Sequence, residues 1–232
     1  MSRSRARRRI IRWGAEGLGM TGARADAILP SMNDAAVTPR PIAREATRLP
    51  ITMDEVLALQ AAGKLPYKRT QLLDGEIHEM PADGLRHIHY AMKIGRRIGA
   101  SLPEDRYFVG VQTTLHLSRY NGPSPDVYVL SAGPLVKETP PERILLIVEV
   151  ASTSLTDDLR DSASRYARHD VAEFWVVDVR NRVTFVHRTP RNGAYPTPAR
   201  IAFEETLKPT LIPDFTLRIA DLDPATPIDE PD

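Results

Sequence analysis

The chain of 232 residues is 42% hydrophobic, enough for one core of ordinary domain size, so one domain with tails is the expectation. It has no cysteine, which excludes thiolate metal sites, thiol nucleophiles and disulfides and fits a reducing, cytoplasmic setting. No apolar run is long enough to span a bilayer, so no membrane association is expected.

The overall charge of +1 hides an asymmetry. Residues 1–50 hold ten arginines against four acidic residues, a net +6, which leaves −5 on the rest of the chain. A mildly acidic body is a poor match for a protein that grips nucleic acid over a wide surface. The basic run at residues 3–12 would suit a nucleic-acid arm or a targeting segment, but no apolar stretch follows it. A disordered leader, or a true start at Met20 or Met32, is the simpler reading.

Pro39, Pro41 and Pro50 set the leader and linker, 1–50, apart from organised sequence at 51–221, and a short acidic tail follows at 222–232. Thr52 is an N-cap candidate for a short helix through Val56 and Leu57 that stops at Gly63. Asp74-Gly75 between two short apolar-bearing runs predicts a hairpin. Tyr90, Ala91, Ile94 and Ile98 fall at helical spacing over 87–101, with Lys93, Arg96 and Arg97 on the other face. Residues 107–111, 113–117, 126–130 and 144–150 read as strands. Ser154 or Thr156 would cap a helix with the inward stripe Leu159, Ala163, Tyr166 and Ala167. Residues 174–177 form the continuous apolar run of a strand covered on both faces, 182–188 a more exposed strand, and 199–219 one or two closing strands. The order predicts an α/β (α+β) fold, a central mixed β-sheet flanked by helices.

Two acidic residues stand out in that order. Glu149 sits late in the branched aliphatic run 144–150, where an unpaired carboxylate is costly to bury. Asp126, after Pro125, opens the preceding strand and could meet Glu149 across a shared sheet. Two carboxylates converging there make a hard, oxygen-rich site suited to magnesium or manganese, and motivate a reading of metal-dependent phosphodiester hydrolysis.

An ordered set of segments carries a resemblance: Leu73-Asp74-Gly75-Glu76, His87 opening a helix, Pro125-Asp126-Val127, Val148-Glu149-Val150-Ala151-Ser152, Asp158, Tyr166-Ala167 and residues 173–178. The set resembles the Uma-two family of restriction-endonuclease-like proteins, widespread in bacteria, within the PD-(D/E)XK nuclease superfamily. The similarity covers roughly residues 52–220. It implies a restriction-endonuclease-like core and cleavage of DNA with Mg2+ or Mn2+, with a homodimer left open. By resemblance Asp126 and Glu149 are the metal-binding carboxylates, the Val150 carbonyl is a third ligand, Glu76 is an acidic residue at the site margin and His87 is the helix-opening histidine. As ordinary structure, Glu76 would be a hairpin surface residue and His87 an exposed polar group at a helix start.

The chain departs from that pattern in its cation. The superfamily's lysine two residues after the second carboxylate is Ala151 here. The position on the following helix to which the family often moves it, four after Asp158 and four before Tyr166, is Ser162. Arg165, near the same helix face, could supply charge in its place, or be a solvated helix residue. An arginine would stabilise a transition state without exchanging a proton. The alternatives are a catalytically degenerate nuclease fold that binds nucleic acid or protein, and an unrelated α/β interaction domain whose Glu149 pairs with an arginine. His78, His87 and His89 with Glu76 and Glu79 match no metal-ligand spacing, and Ser152, Ser154, Ser162 and Ser164 lack a nucleophile-elbow context.

Overall fold

The structure, a computed structural model, describes residues 49–65, 69–134, 136–151, 157–226 and 228. The basic leader with Pro39 and Pro41, the cap candidates Ser154 and Thr156, the side chains of Asp158 and Leu159, and most of the acidic tail lie outside the described residues.

Helix α1 (Met53–Ala61) opens with a capping box, in which Thr52 and Glu55 satisfy each other's backbone N–H groups. Strands β1 (Thr70–Leu73) and β2 (Glu76–Glu79) form the Asp-Gly hairpin, with positive φ at Asp74 and Gly75 as a two-residue turn demands. The hairpin leans on the segment ahead of the central strands: Gly75 N–H donates to the Tyr120 carbonyl, and Leu72 bridges to Gly122.

Helix α2 (Leu85–Ser101) leads into a six-stranded sheet of order β3-β4-β5-β6-β7-β8. Its strands are β3 (Tyr107–Val111), β4 (Val127–Ser131), β5 (Ile144–Ala151), β6 (Glu173–Asp178), β7 (Val183–Arg188) and β8 (Ala199–Ala202). All neighbours are antiparallel except β5 and β6, whose parallel pairing requires the crossover made by helix α3 (Asp157–Arg168). Two short strands, β9 (Thr206–Leu207) and β10 (Leu217–Arg218), close the chain as a separate ribbon, followed by a 3-10 turn at Ile219–Leu222.

Side-chain alternation sorts the sheet into two faces. Val127, Val129, Leu146, Val148, Val150, Trp175 and Val177 pack under α2 through Tyr90, Ala91, Ile94 and Ile98. Tyr128, Leu130, Ile147, Ala151, Phe174 and Val176 face α3 through Tyr166. Every residue of β6 is buried, as the continuous apolar run requires of a strand covered on both sides. The strand expected at 113–117 does not form. The left-handed backbone of Gln112 (φ +47) ends β3, and Leu115 and Leu117 bury their side chains while bonding back to Pro123 and Asn121. At the far end Leu222 is buried and Asp223 bonds Tyr90 and Arg182, so packing continues through residue 223.

Candidate metal-binding active site

The site forms where three strands end side by side. The register that sets Val127 opposite Val148 and opposite Val111 carries Asp126 opposite Glu149 on one side and Gln112 on the other. The two acidic residues therefore meet at the same end of the sheet, Glu149 on β5 and Asp126 just ahead of β4. Asp126 donates its backbone N–H to Glu149 Oε2 at 3.2 Å. Val150 donates its N–H to Asp126 Oδ2 at 2.8 Å. A strand residue directs its N–H and C=O to the same edge, so the Val150 carbonyl also faces the β4 side, beside Asp126.

Two helices reach into this row from opposite faces. His87, in the first turn of α2, brings Nε2 to 2.9 Å from Asp126 Oδ2, while its Nδ1 lies 3.7 Å from Asp83 Oδ1. Burial draws the His87 pKa down, but the hydrogen bond and charge of Asp126, then the charges of Asp83 and Glu149, leave it above the ordinary imidazole value. From α3, the Tyr166 hydroxyl donates to Glu149 Oε1 at 2.8 Å. Burial, then the charge of Asp126, pushes the Glu149 carboxyl up to about 8, against the hydrogen bonds from Tyr166 and the Asp126 N–H that pull it down. Burial and the Glu149 charge raise the Tyr166 phenol well above its usual range, which keeps it a donor.

Asp126, Glu149, Val150 and His87 are thus brought together. Arg165 is buried but turned to the hairpin, with Nη2 3.6 Å from Asp74 Oδ2, where Arg168 also binds at 3.4 Å. Among the described residues no hydrogen bond or ion pair joins Arg165 to Asp126 or Glu149. Glu76, half-buried on β2, lies 3.9 Å from His78 Nε2. His89 leaves the neighbourhood altogether and donates to the Leu222 carbonyl at 2.8 Å. Ala151 is buried on the Glu149 face of β5, and Ser162 is half-buried one turn before Tyr166. No lysine or arginine pairs with Asp126 or Glu149 among the described residues.

Three contributors went unread in the sequence as parts of a site. Tyr166 was legible as an inward helix residue and as one segment of the resemblance, but its hydroxyl's target depends on the crossover that lays α3 over β5. Gln112 donates from Nε2 to Asp126 Oδ1 at 3.4 Å and to Asp83 Oδ2 at 3.5 Å. Asp83, also bound by Arg69 at 2.5 Å, sits four residues before His87, the one-turn spacing that offered a signal.

The donors fit a hard divalent ion. Two carboxylates and a carbonyl are all-oxygen, and Glu149 is raised first by burial and then by the neighbouring Asp126 charge. Among the described residues no group of three His, Asp or Glu side chains is arranged to hold a metal ion.

A mixed sheet carried between two helices, with paired acidic residues at the end of adjacent central strands, defines the restriction-endonuclease-like class of fold. The chain belongs to the Uma2 family, described as "putative restriction endonuclease", whose model matches residues 53–220. A solved structure with the same fold is a putative nuclease belonging to DUF820 from Anabaena variabilis, at 19% identity and a TM-score of 0.57, covering 75% of this chain and 97% of that one. No curated protein matches the chain. Among the described residues no helix is long and apolar enough to cross a membrane.

Proposed function

We propose that the chain is a metal-dependent endonuclease that hydrolyses phosphodiester bonds in DNA, with Mg2+ or Mn2+ held by Asp126, Glu149 and the Val150 carbonyl, acting in a bacterial cytoplasm. The observation that carries the reading is the cross-strand convergence of Asp126 and Glu149. A divalent ion in such a site supplies Lewis-acid polarisation of the scissile phosphate and a more acidic water for in-line attack. The residues of the chain serve that chemistry by orientation. Val150 N–H and His87 fix Asp126 Oδ2, and Tyr166 and the Asp126 N–H fix the two oxygens of Glu149. His87, its imidazole pKa drawn down by burial but raised on balance by Asp126, stands against Asp126 Oδ2. Glu76 stands on the neighbouring hairpin, at the margin of this proposed site. Arg165 acts in this scheme through Asp74, by holding that hairpin against α3.

The test is cleavage of supercoiled plasmid and of labelled duplex and single-stranded oligonucleotides with Mg2+ or Mn2+. Asp126→Asn and Glu149→Gln are expected to lose on the order of 100-fold or more, beyond the range seen for residues behind a metal's direct ligands. Cleavage that survives both substitutions would defeat the proposal.

A second reading has its own observation. Ala151 and Ser162 stand where the resemblance expects lysine, and Arg165 is committed to Asp74. On this reading the domain binds nucleic acid or a protein without cutting. DNA binding by gel shift with no cleavage under either metal would favour it.

A further inference from the structure

Gln112 holds a backbone conformation that its residue type resists. It follows β3 with φ +47, in the left-handed region where glycine is at ease and a long side chain is not. Such strain persists where surrounding contacts over-determine it, and it gathers at functional sites. The contacts here go to Asp126 and Asp83. Gln112 donates its N–H to the Asp126 carbonyl at 3.0 Å, and Nε2 donates to Asp126 Oδ1 at 3.4 Å and to Asp83 Oδ2 at 3.5 Å. Val150 N–H and His87 take the other oxygen, Oδ2.

We propose that Gln112 is a positioning residue whose amide fixes the rotation of the Asp126 carboxylate and couples it to Asp83, which faces the second ring nitrogen of His87. The torsion that turns an aspartate carboxylate is broad and weakly restrained by itself. With donors on Oδ2 alone, the group pivots about that oxygen. A donor on Oδ1 stops the pivot, so the carboxylate would meet a bound ion in one orientation. The left-handed turn at Gln112 keeps its N–H and its amide on Asp126 together. The inference rests on the reading of Asp126 as a metal ligand.

Gln112→Gly removes the amide and suits the positive φ, while Gln112→Asn tolerates that φ but is one methylene too short to bridge Asp126 and Asp83. Mn2+ binding followed by electron paramagnetic resonance should weaken about tenfold in both variants. The melting temperature of Gln112→Gly should hold or rise. A residue that merely props the fold would lose stability and affinity together, and that result overturns the proposal, as does unchanged Mn2+ affinity in both variants. If the wild type binds no Mn2+, the metal-site reading fails. The crystal structure of Gln112→Gly then decides: a rotated Asp126 carboxylate supports the positioning role, and an unmoved one overturns it.

Discussion

Asp126 donates its backbone N–H to Glu149 Oε2 at 3.2 Å, so the peptide that carries one acidic side chain steadies the other. The contact holds the two acidic residues together, and Glu149 responds with a carboxyl raised to about 8 by burial and by Asp126. Such a pair costs stability until a cation joins it. Glu149→Gln keeps groups able to bond Tyr166 and the Asp126 N–H while removing the charge. In metal-free protein it should stabilise by about 1 kcal/mol, a rise of roughly 2–4 °C for a domain of this size. Mn2+ should then raise the melting temperature of the wild type and leave the variant unmoved. Calorimetry with and without the ion makes the check, and a variant that melts below the metal-free wild type argues against a frustrated acidic pair.

Tyr166 supports Glu149 from α3, and its ring packs edge-on against Phe174 at a 4.9 Å centroid distance. Tyr166→Phe keeps the ring and removes only the hydroxyl. Losing a hydrogen bond to a carboxyl raised to about 8 costs about 0.5–1.5 kcal/mol near neutral pH, and a freed Glu149 should weaken Mn2+ binding about tenfold. Thermal denaturation and an Mn2+ titration measure the two effects separately. Unchanged affinity would place Tyr166 in the core alone.

Much of this arrangement could be read from residue pattern, and the remainder depended on contacts between distant segments. The Asp-Gly hairpin, the amphipathic α2 and the fully buried β6 follow from local rules that tertiary structure did not overrule. Asp126 and Glu149 were conspicuous because each carboxylate stands against an apolar run. The segment 113–117 alternates like a strand, yet the backbone turn at Gln112 removes it from the sheet, and no propensity marks a glutamine for positive φ. Arg165 lies near the expected helix face, but its long side chain goes to Asp74, 91 residues earlier in sequence. Neither pairing is visible in spacing along one element.

Backbone pairing in the described chain begins at Ile51, whose N–H donates to Gly75 O, and the first buried side chain is Met53, seated against Gly122. Residues 1–45 carry little periodic apolar sequence, so they are expected to be dispensable for folding. A protein starting at residue 49 should melt with the full chain, whereas one starting at residue 63 loses α1 and should melt several degrees lower. Limited proteolysis should stop near residue 50. A drop in melting temperature on removing residues 1–48 alone would show that they pack on the domain.

Asp223 ties the end of the described fold to its interior. It accepts from Tyr90 Oη at 2.6 Å and from two nitrogens of Arg182 at 3.2 and 3.0 Å. Burial raises its pKa, but the bonds from Arg182 and Tyr90 outweigh it and leave the carboxyl below its ordinary 3.8. A group depressed in the folded state contributes fully above its unfolded pKa and loses that contribution as pH falls through the folded one. Asp223→Asn should therefore lower the melting temperature at pH 7, and the gap should close below about pH 3.8. Melting curves across that range test the sign, and a gap that widens in acid would contradict it.

The missing lysine can be restored where the helix has room for it. Ser162 is half-buried one turn before Tyr166, the residue that touches Glu149, so a side chain there lies on the face of α3 turned to the carboxylates. Ser162→Lys places a flexible ammonium within reach of a pair that lacks a lysine or arginine partner among the described residues. It should raise metal-dependent cleavage of DNA by steadying phosphate charge, and lysine is the better helix former. Arg165→Ala tests a different link. With Arg165 bound to Asp74, the substitution should loosen the hairpin against α3, and Asp74→Ala should reproduce its effect on activity and stability. The two changes combined should cost little more than either alone, because both break one contact. Additive losses would instead give Arg165 a role of its own at the carboxylates. Should wild type and Ser162→Lys both remain folded yet silent with Mg2+ and Mn2+, the absence of lysine would no longer explain the inactivity. The binding-module reading would then take precedence.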